Sequence, residues 1–126
     1  MKTVQVHKLI GDALDYIVAT LEGYTGLTKD ENEAFILLPP RTDYGYVYLF
    51  DQEFSTTWSQ GGPIIEREGI SLCYAEDNPK GMEWFAYTPI QSPDDDVIFA
   101  ATPLVAAMRC YVASKLGDTV EVPDES

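Results

Sequence analysis

The sequence predicts an α+β domain, a small antiparallel sheet with two amphipathic helices packed on it. Apolar residues recur at helical spacing near both ends of the chain, at Ile10, Ala13, Leu14, Ile17, Val18 and Leu21 and again at Leu104, Ala107, Met108, Tyr111 and Val112. Between these stripes lie short runs of β-branched and aromatic residues, punctuated by proline turns and too short for helices. With 126 residues, 45% of them hydrophobic, the chain can bury one core and is read as a single domain over 1–126.

In chain order, the first stripe has Asp12, Asp15 and Glu22 on its opposite side, and Gly23 is placed to end the helix in the left-handed conformation. Tyr24 to Gly26 lead out through a turn, and 29–33 is a polar loop. Ala34 to Leu38 is a strand stopped by Pro39-Pro40, which cannot donate to a ladder. Tyr44 to Phe50, apolar on both faces, reads as a well-covered strand hairpinned to it.

The stretch from Phe54 to Gly69 is the most distinctive. Ser55 or Thr56 caps a short turn carrying Trp58, Gly61-Gly62 breaks that turn, and Pro63 opens another. Ile70 to Tyr74 and Met82 to Thr88 form a second hairpin around Asn78-Pro79, and 89–96 is a loop ending in three aspartates. These lack the alternate oxygen spacing of a calcium loop and read as solvated. Val97 to Ala101 adds an edge strand. Thr102 as N-cap and Pro103 at the first helical position then open the closing helix, which runs to Gly117, and 118–126 is an acidic tail with mobile last residues.

Eight Lys and Arg stand against 21 Asp and Glu, a net charge of −13, so direct binding to a phosphate backbone is disfavoured. The surface is either a solvated acidic face or one that meets a basic partner by imitating nucleic acid. No apolar run approaches the ~20 residues that span a bilayer. The N-terminus has no secretory signal pattern, so a cytoplasmic location is expected. Cys73 and Cys110 have no metal-ligand spacing, and no metal or cofactor is expected. His7, the single histidine, sits at what reads as a frayed chain start with no nucleophile motif beside it, so no catalytic residue is assigned. Glu66, Glu68 or Glu83 as a general acid or base is the weakest reading, since nothing in the sequence sets their environment.

Three stretches carry a family resemblance: Trp58 through Ile70, Trp84 followed by Ala86, and Thr102 through Gly117. Together with Ala13, Leu14 and Asp15 they resemble the NinX-like family of phage proteins over most of the chain. The segment 29–51 is longer than that pattern and reads as an insertion. The resemblance implies a small accessory protein of temperate phages, working in the bacterial cytoplasm. It supplies no reaction, cofactor or catalytic residue.

Two functions follow as expectations. The first is a non-enzymatic binding module for a small anionic ligand, such as a nucleotide signal of host defence. Trp58 and Trp84 would offer stacking faces, Gly61 and Gly62 close backbone approach, Gln60 a polar contact, and Arg67 and Arg109 charge, with Arg109 reaching toward Gly61-Gly62-Pro63. The plain structural reading makes both tryptophans core and Gly-Gly-Pro a tight corner. The second is an acidic protein that inhibits a host DNA-binding or defence protein through a phosphate-like charge pattern. A 12% aromatic share, with eight tyrosines, further predicts a homo-oligomer.

Overall fold

The computed structural model describes residues 1–40, 45–89 and 97–123. The α+β class holds, with a third helix and the strands divided among three small antiparallel sheets. Helix α3 (Pro103–Leu116) is the centre of the fold. It touches the other two helices, α1 (Gly11–Leu21) and α2 (Trp58–Glu68), and all three strands of the sheet β5 (Ser71–Tyr74), β6 (Trp84–Tyr87) and β7 (Ile98–Ala100).

The sequence explains where these helices start and stop. Thr102 is extended and its hydroxyl accepts the Val105 N–H at 3.3 Å, with Pro103 following as expected. Helix α1 ends as Gly23 takes φ +103°, while Tyr24 N–H reaches Ala19 O and Gly23 N–H reaches Thr20 O, the paired bonds that close a helix end. Helix α3 departs from the expected single stripe. Leu104 to Met108 and Cys110 to Val112 are all buried, so it is enclosed nearly all round and only Arg109 interrupts the run.

Two expectations at the chain ends are corrected. Residues 119–122, read as acidic tail, form strand β8 (Thr119–Val122), whose Val120 and Val122 alternate inward. It pairs with β1 (Lys2–Gln5), Lys2 opposite Val122 and Gln5 opposite Thr119, so the chain start is not frayed and His7 stands in a short 3-10 turn just after β1. Residues 124–126 lie outside the described residues.

Further corrections concern the segment after α1. Thr25 and Gly26, read as turn, and Lys29, read as the start of a loop, lie in strand β2 (Thr25–Lys29), which pairs with β3 (Phe35–Leu38). Asp30 holds the intervening turn, its carboxylate accepting the N–H groups of Asn32 and Ala34. The next strand shrinks to β4 (Val47–Tyr48), an edge strand whose flanking Tyr46 and Phe50 are about half exposed instead of covered. Along it Tyr46 meets the Tyr48 ring edge-on at a centroid separation of 5.7 Å, and Tyr48 stacks on Phe50 at 4.9 Å.

The largest correction is α2. Gly61-Gly62-Pro63 does not break a turn: one helix runs through all three, and it ends only where Gly69 takes φ +67°. Pro63 cannot donate to the Ser59 carbonyl, but Ser59 is exposed and water can satisfy it. Gly61 is needed for contact: a Cβ there would lie 2.3 Å from the Phe54 carbonyl oxygen and 2.7 Å from Leu104 Cδ2 on α3. Its neighbour Gly62 has room, the nearest atom being Trp58 Cε3 at 4.0 Å.

Asp15 on α1 ties that helix to the chain entering α2. Its buried carboxylate accepts the Ser55 N–H at 2.8 Å. Burial pushes its pKa up from 3.8 to about 6, against the opposing pull of the Ser55 N–H and the nearby hydroxyl. That hydroxyl, itself buried, stands off hydrogen-bond geometry and has no partner among the described residues.

Two outcomes test this packing. In chemical denaturation Gly61→Ala should cost about 1 to 3 kcal/mol by overpacking against α3, whereas Gly62→Ala should add ~1 kcal/mol from helix propensity. Asp15 contributes its full stability below about pH 4 and loses it as pH rises through about 6. Asp15→Asn, which keeps an acceptor for Ser55, should therefore raise Tm at pH 8, by on the order of 2 to 3 kcal/mol of stability, and flatten the pH dependence between 4 and 8. Unchanged slopes in both proteins would refute the assignment.

Candidate functional site

The residues singled out in the sequence separate into several places. Trp58, at the start of α2, is 54% exposed and lines an apolar cleft of about 370 Å³ with Ile10, Pro103, Leu104 and Val105. Trp84 sits on β6, partly buried, its ring 5.1 Å from that of Tyr74 and packed against the core. The two tryptophans therefore belong to different surroundings and do not form one stacking clamp. Gln60 faces back along the chain, its Oε1 accepting the Glu53 N–H at 2.9 Å and its Nε2 donating to Asp51 O at 3.4 Å, and so anchors the approach to α2.

Arg67, at the end of α2, is occupied by carboxylates. It donates to both oxygens of Glu22 at 2.9 and 2.8 Å and through Nε to Glu68 at 2.9 Å. Tyr111 OH adds a 2.6 Å bond to Glu22, and Lys115 pairs with Glu68 at 3.0 Å. The Arg67 hydrogen bonds hold Glu22 and Glu68 below the usual carboxylate range, while burial and then the bond to Glu22 push the Tyr111 hydroxyl up. This cluster joins the C-terminal ends of α1 and α2 to α3.

Arg109 is in a different electrostatic position. Five residues beyond Leu104, it lies about 7.5 Å along α3 and about 140° round it. Its hydrogen bonds go to Leu9 and Phe99, and among the described residues none goes to Gly61-Gly62-Pro63, where it was expected to reach. Its Nε donates to Leu9 O at 2.7 Å and its Nη1 to Phe99 O at 2.9 Å. Among the described residues no carboxylate pairs with it, and Nη2 has no partner. Burial lowers its pKa, yet a guanidinium stays protonated in a protein. The group lines a cleft of about 450 Å³ with His7, Met82, Val97, Ile98 and Phe99.

Such an arrangement can hold an anion. Two backbone carbonyls hold the guanidinium without neutralising it, and Arg109 lines a cleft whose apolar walls raise the strength of a charge-assisted contact. His7 offers ring nitrogens on the same wall. Its place was not legible in the sequence, because the strand pairing that brings residue 7 beside Ile98 joins the two chain ends. Met82 and Phe99 were read only as strand residues, and no local signal marked them. The three aspartates at 94–96 lie outside the described residues. Among the described residues no group of three or more His, Cys, Asp or Glu could hold a metal ion, and no helix is long and apolar enough to cross a membrane.

Residues 5–115 match the family model described as bacteriophage P22, NinX. Among curated proteins nothing matches the chain. The matched span runs from β1 almost to the end of α3 and so takes in both halves of the Arg109 cleft, and the chain belongs to the bacteriophage P22 NinX family.

Proposed function

We propose that this phage protein is a non-enzymatic binding module that captures a small anionic ligand of nucleotide chemistry in the Arg109 cleft, acting in the host cytoplasm against a nucleotide signal of host defence. One observation carries the reading: in a chain with 21 acidic residues, a half-buried guanidinium that lines a cleft has no carboxylate partner among the described residues. Arg67 pairs with two carboxylates, Glu22 and Glu68, whereas among the described residues none occupies this position. A ligand that brings its own negative charge would supply the missing counter-ion and recover part of the desolvation cost.

Size and wall chemistry support the same class. A volume of about 450 Å³ falls within the range of small-molecule sites, and Phe99, Ile98 and Met82 suit a planar, weakly polar ring beside the charged group. The expected site residues are thereby narrowed to Arg109, with His7, Met82 and Phe99 in place of the Gly61-Gly62 corner. Arg67 supports the fold near α3, and Trp58 faces the other cleft.

Adenosine 5′-monophosphate, adenosine and inorganic phosphate serve as probes in calorimetric titration. The nucleotide should bind and adenosine should bind more weakly. Arg109→Met should weaken the nucleotide by roughly 1.5 to 3 kcal/mol, the cost of a charge-assisted contact, with Arg109→Lys intermediate. Circular dichroism of each variant checks that the Leu9 and Phe99 segments still fold. A folded Arg109→Met protein that binds the nucleotide as tightly as the parent would overturn the reading. Binding that disappears with modest added salt would favour an interface of exposed charges instead.

A further inference from the structure

The Arg109 cleft does not end at His7. A second concavity, of about 220 Å³, shares His7 and Ile98 with it and continues along the paired chain ends. Its other walls are Gln5, Asp118 and Thr119, with Val6 and Ala113 at the base. The two concavities adjoin at His7 and Ile98, and the groove they would make together has different chemistry at its two ends. Arg109 supplies a fixed positive charge in the first lobe. The second lobe supplies an acidic side chain, a carboxamide and a hydroxyl.

We infer that this groove takes a ligand made of two nucleosides joined by a single phosphodiester, with the phosphate near Arg109 and His7 and the second nucleoside in the Gln5–Asp118–Thr119 lobe. The inference rests on the reading of the Arg109 cleft as an anion site. A carboxylate is a pure acceptor, suited to ribose hydroxyls or the exocyclic amine of a base, and it repels a second phosphate. Gln5 and Thr119 lie opposite each other in the β1–β8 ladder, so their side chains share one place on a held strand pair. The lobe has a rigid base as well: the Val6 N–H donates to the Asp118 carbonyl at 2.8 Å, which ties the two chain ends together and leaves the Asp118 carboxylate outside that bond. A single nucleotide would leave this lobe empty, whereas one phosphate flanked by two sugars and bases matches a groove with its cation in one half and acceptors in the other.

The test compares two monoanionic phosphodiesters, so that charge is constant: the methyl ester of adenosine 5′-monophosphate, with one nucleoside, and adenylyl-3′,5′-adenosine, with two. The dinucleoside should bind at least about tenfold tighter, a difference of ~1.4 kcal/mol. Asp118→Ala changes an exposed side chain and leaves the Val6–Asp118 backbone bond in place. It should remove most of that advantage while leaving the methyl ester unaffected, and amide chemical-shift changes on the dinucleoside should extend from Phe99 and Arg109 to residues 5 and 118–119. If both probes bind equally, the second lobe is not part of the site and this inference falls while the Arg109 reading stands. If the dinucleoside is preferred but Asp118→Ala leaves the preference intact, the second nucleoside lies elsewhere and the inference also falls. If neither probe binds the parent protein, the Arg109 reading itself fails.

Discussion

The enclosure of helix α3 is the constraint on which the rest of this structure depends. Eight of the nine residues from Leu104 to Val112 are buried, so the helix needs cover on every side. Helices α1 and α2, the β5–β6–β7 sheet and the paired chain ends each supply part of it. None of these pieces is large, and the sheets have two or three strands each. Two- and three-stranded sheets are marginal by themselves and gain their stability from packing on a helix. Gly61 shows how close that packing is, since only a residue without a Cβ lets the first turn of α2 lie between Phe54 and Leu104.

An enclosed helix makes its one charged position in that run informative. Arg109 is half-buried at the wall of a cleft, and its guanidinium is held by carbonyls of two separate segments, Leu9 before α1 and Phe99 in β7. Those bonds satisfy part of its donor set and join the chain start to the sheet edge. They do not supply negative charge. Arg67 illustrates the alternative within the same protein: at the end of a half-exposed helix it gathers Glu22, Glu68 and Tyr111 into a neutralised cluster. Both arginines were charge candidates from sequence, and their surroundings separate them.

Much of the fold was legible because its signals are local. The apolar spacing of α1, the Gly23 stop, the Thr102-Pro103 start and the hairpin around Asn78-Pro79 all rest on short-range geometry, and each is present as expected. The misread pieces are those in which a distant partner overrides local preference. Gly61-Gly62-Pro63 contains the three weakest helix formers in succession, yet α3 and Phe54 hold it helical. The acidic stretch after Gly117 becomes a strand because β1 offers a ladder and the core accepts Val120 and Val122. Tyr44 to Phe50 looked covered because its composition is apolar on both faces, but a two-residue edge strand leaves Tyr46 and Phe50 half exposed.

By itself the sequence determined the α+β class, the positions of the first and last helices, the acidic net charge and the family to which the chain belongs, all of which follow from spacing, composition and contiguous motifs. It named Arg109 as a charge available to a ligand site. Only the tertiary structure decided what that charge faces. The Arg109 cleft is built from residues 7, 82, 97–99 and 109, and its extension from residues 5, 118 and 119. They meet because β1 pairs with β8 and because β7 and the chain start both pack on α3. Those contacts join segments as many as a hundred residues apart, and no local pattern of side chains encodes which distant surface a half-buried charge will meet.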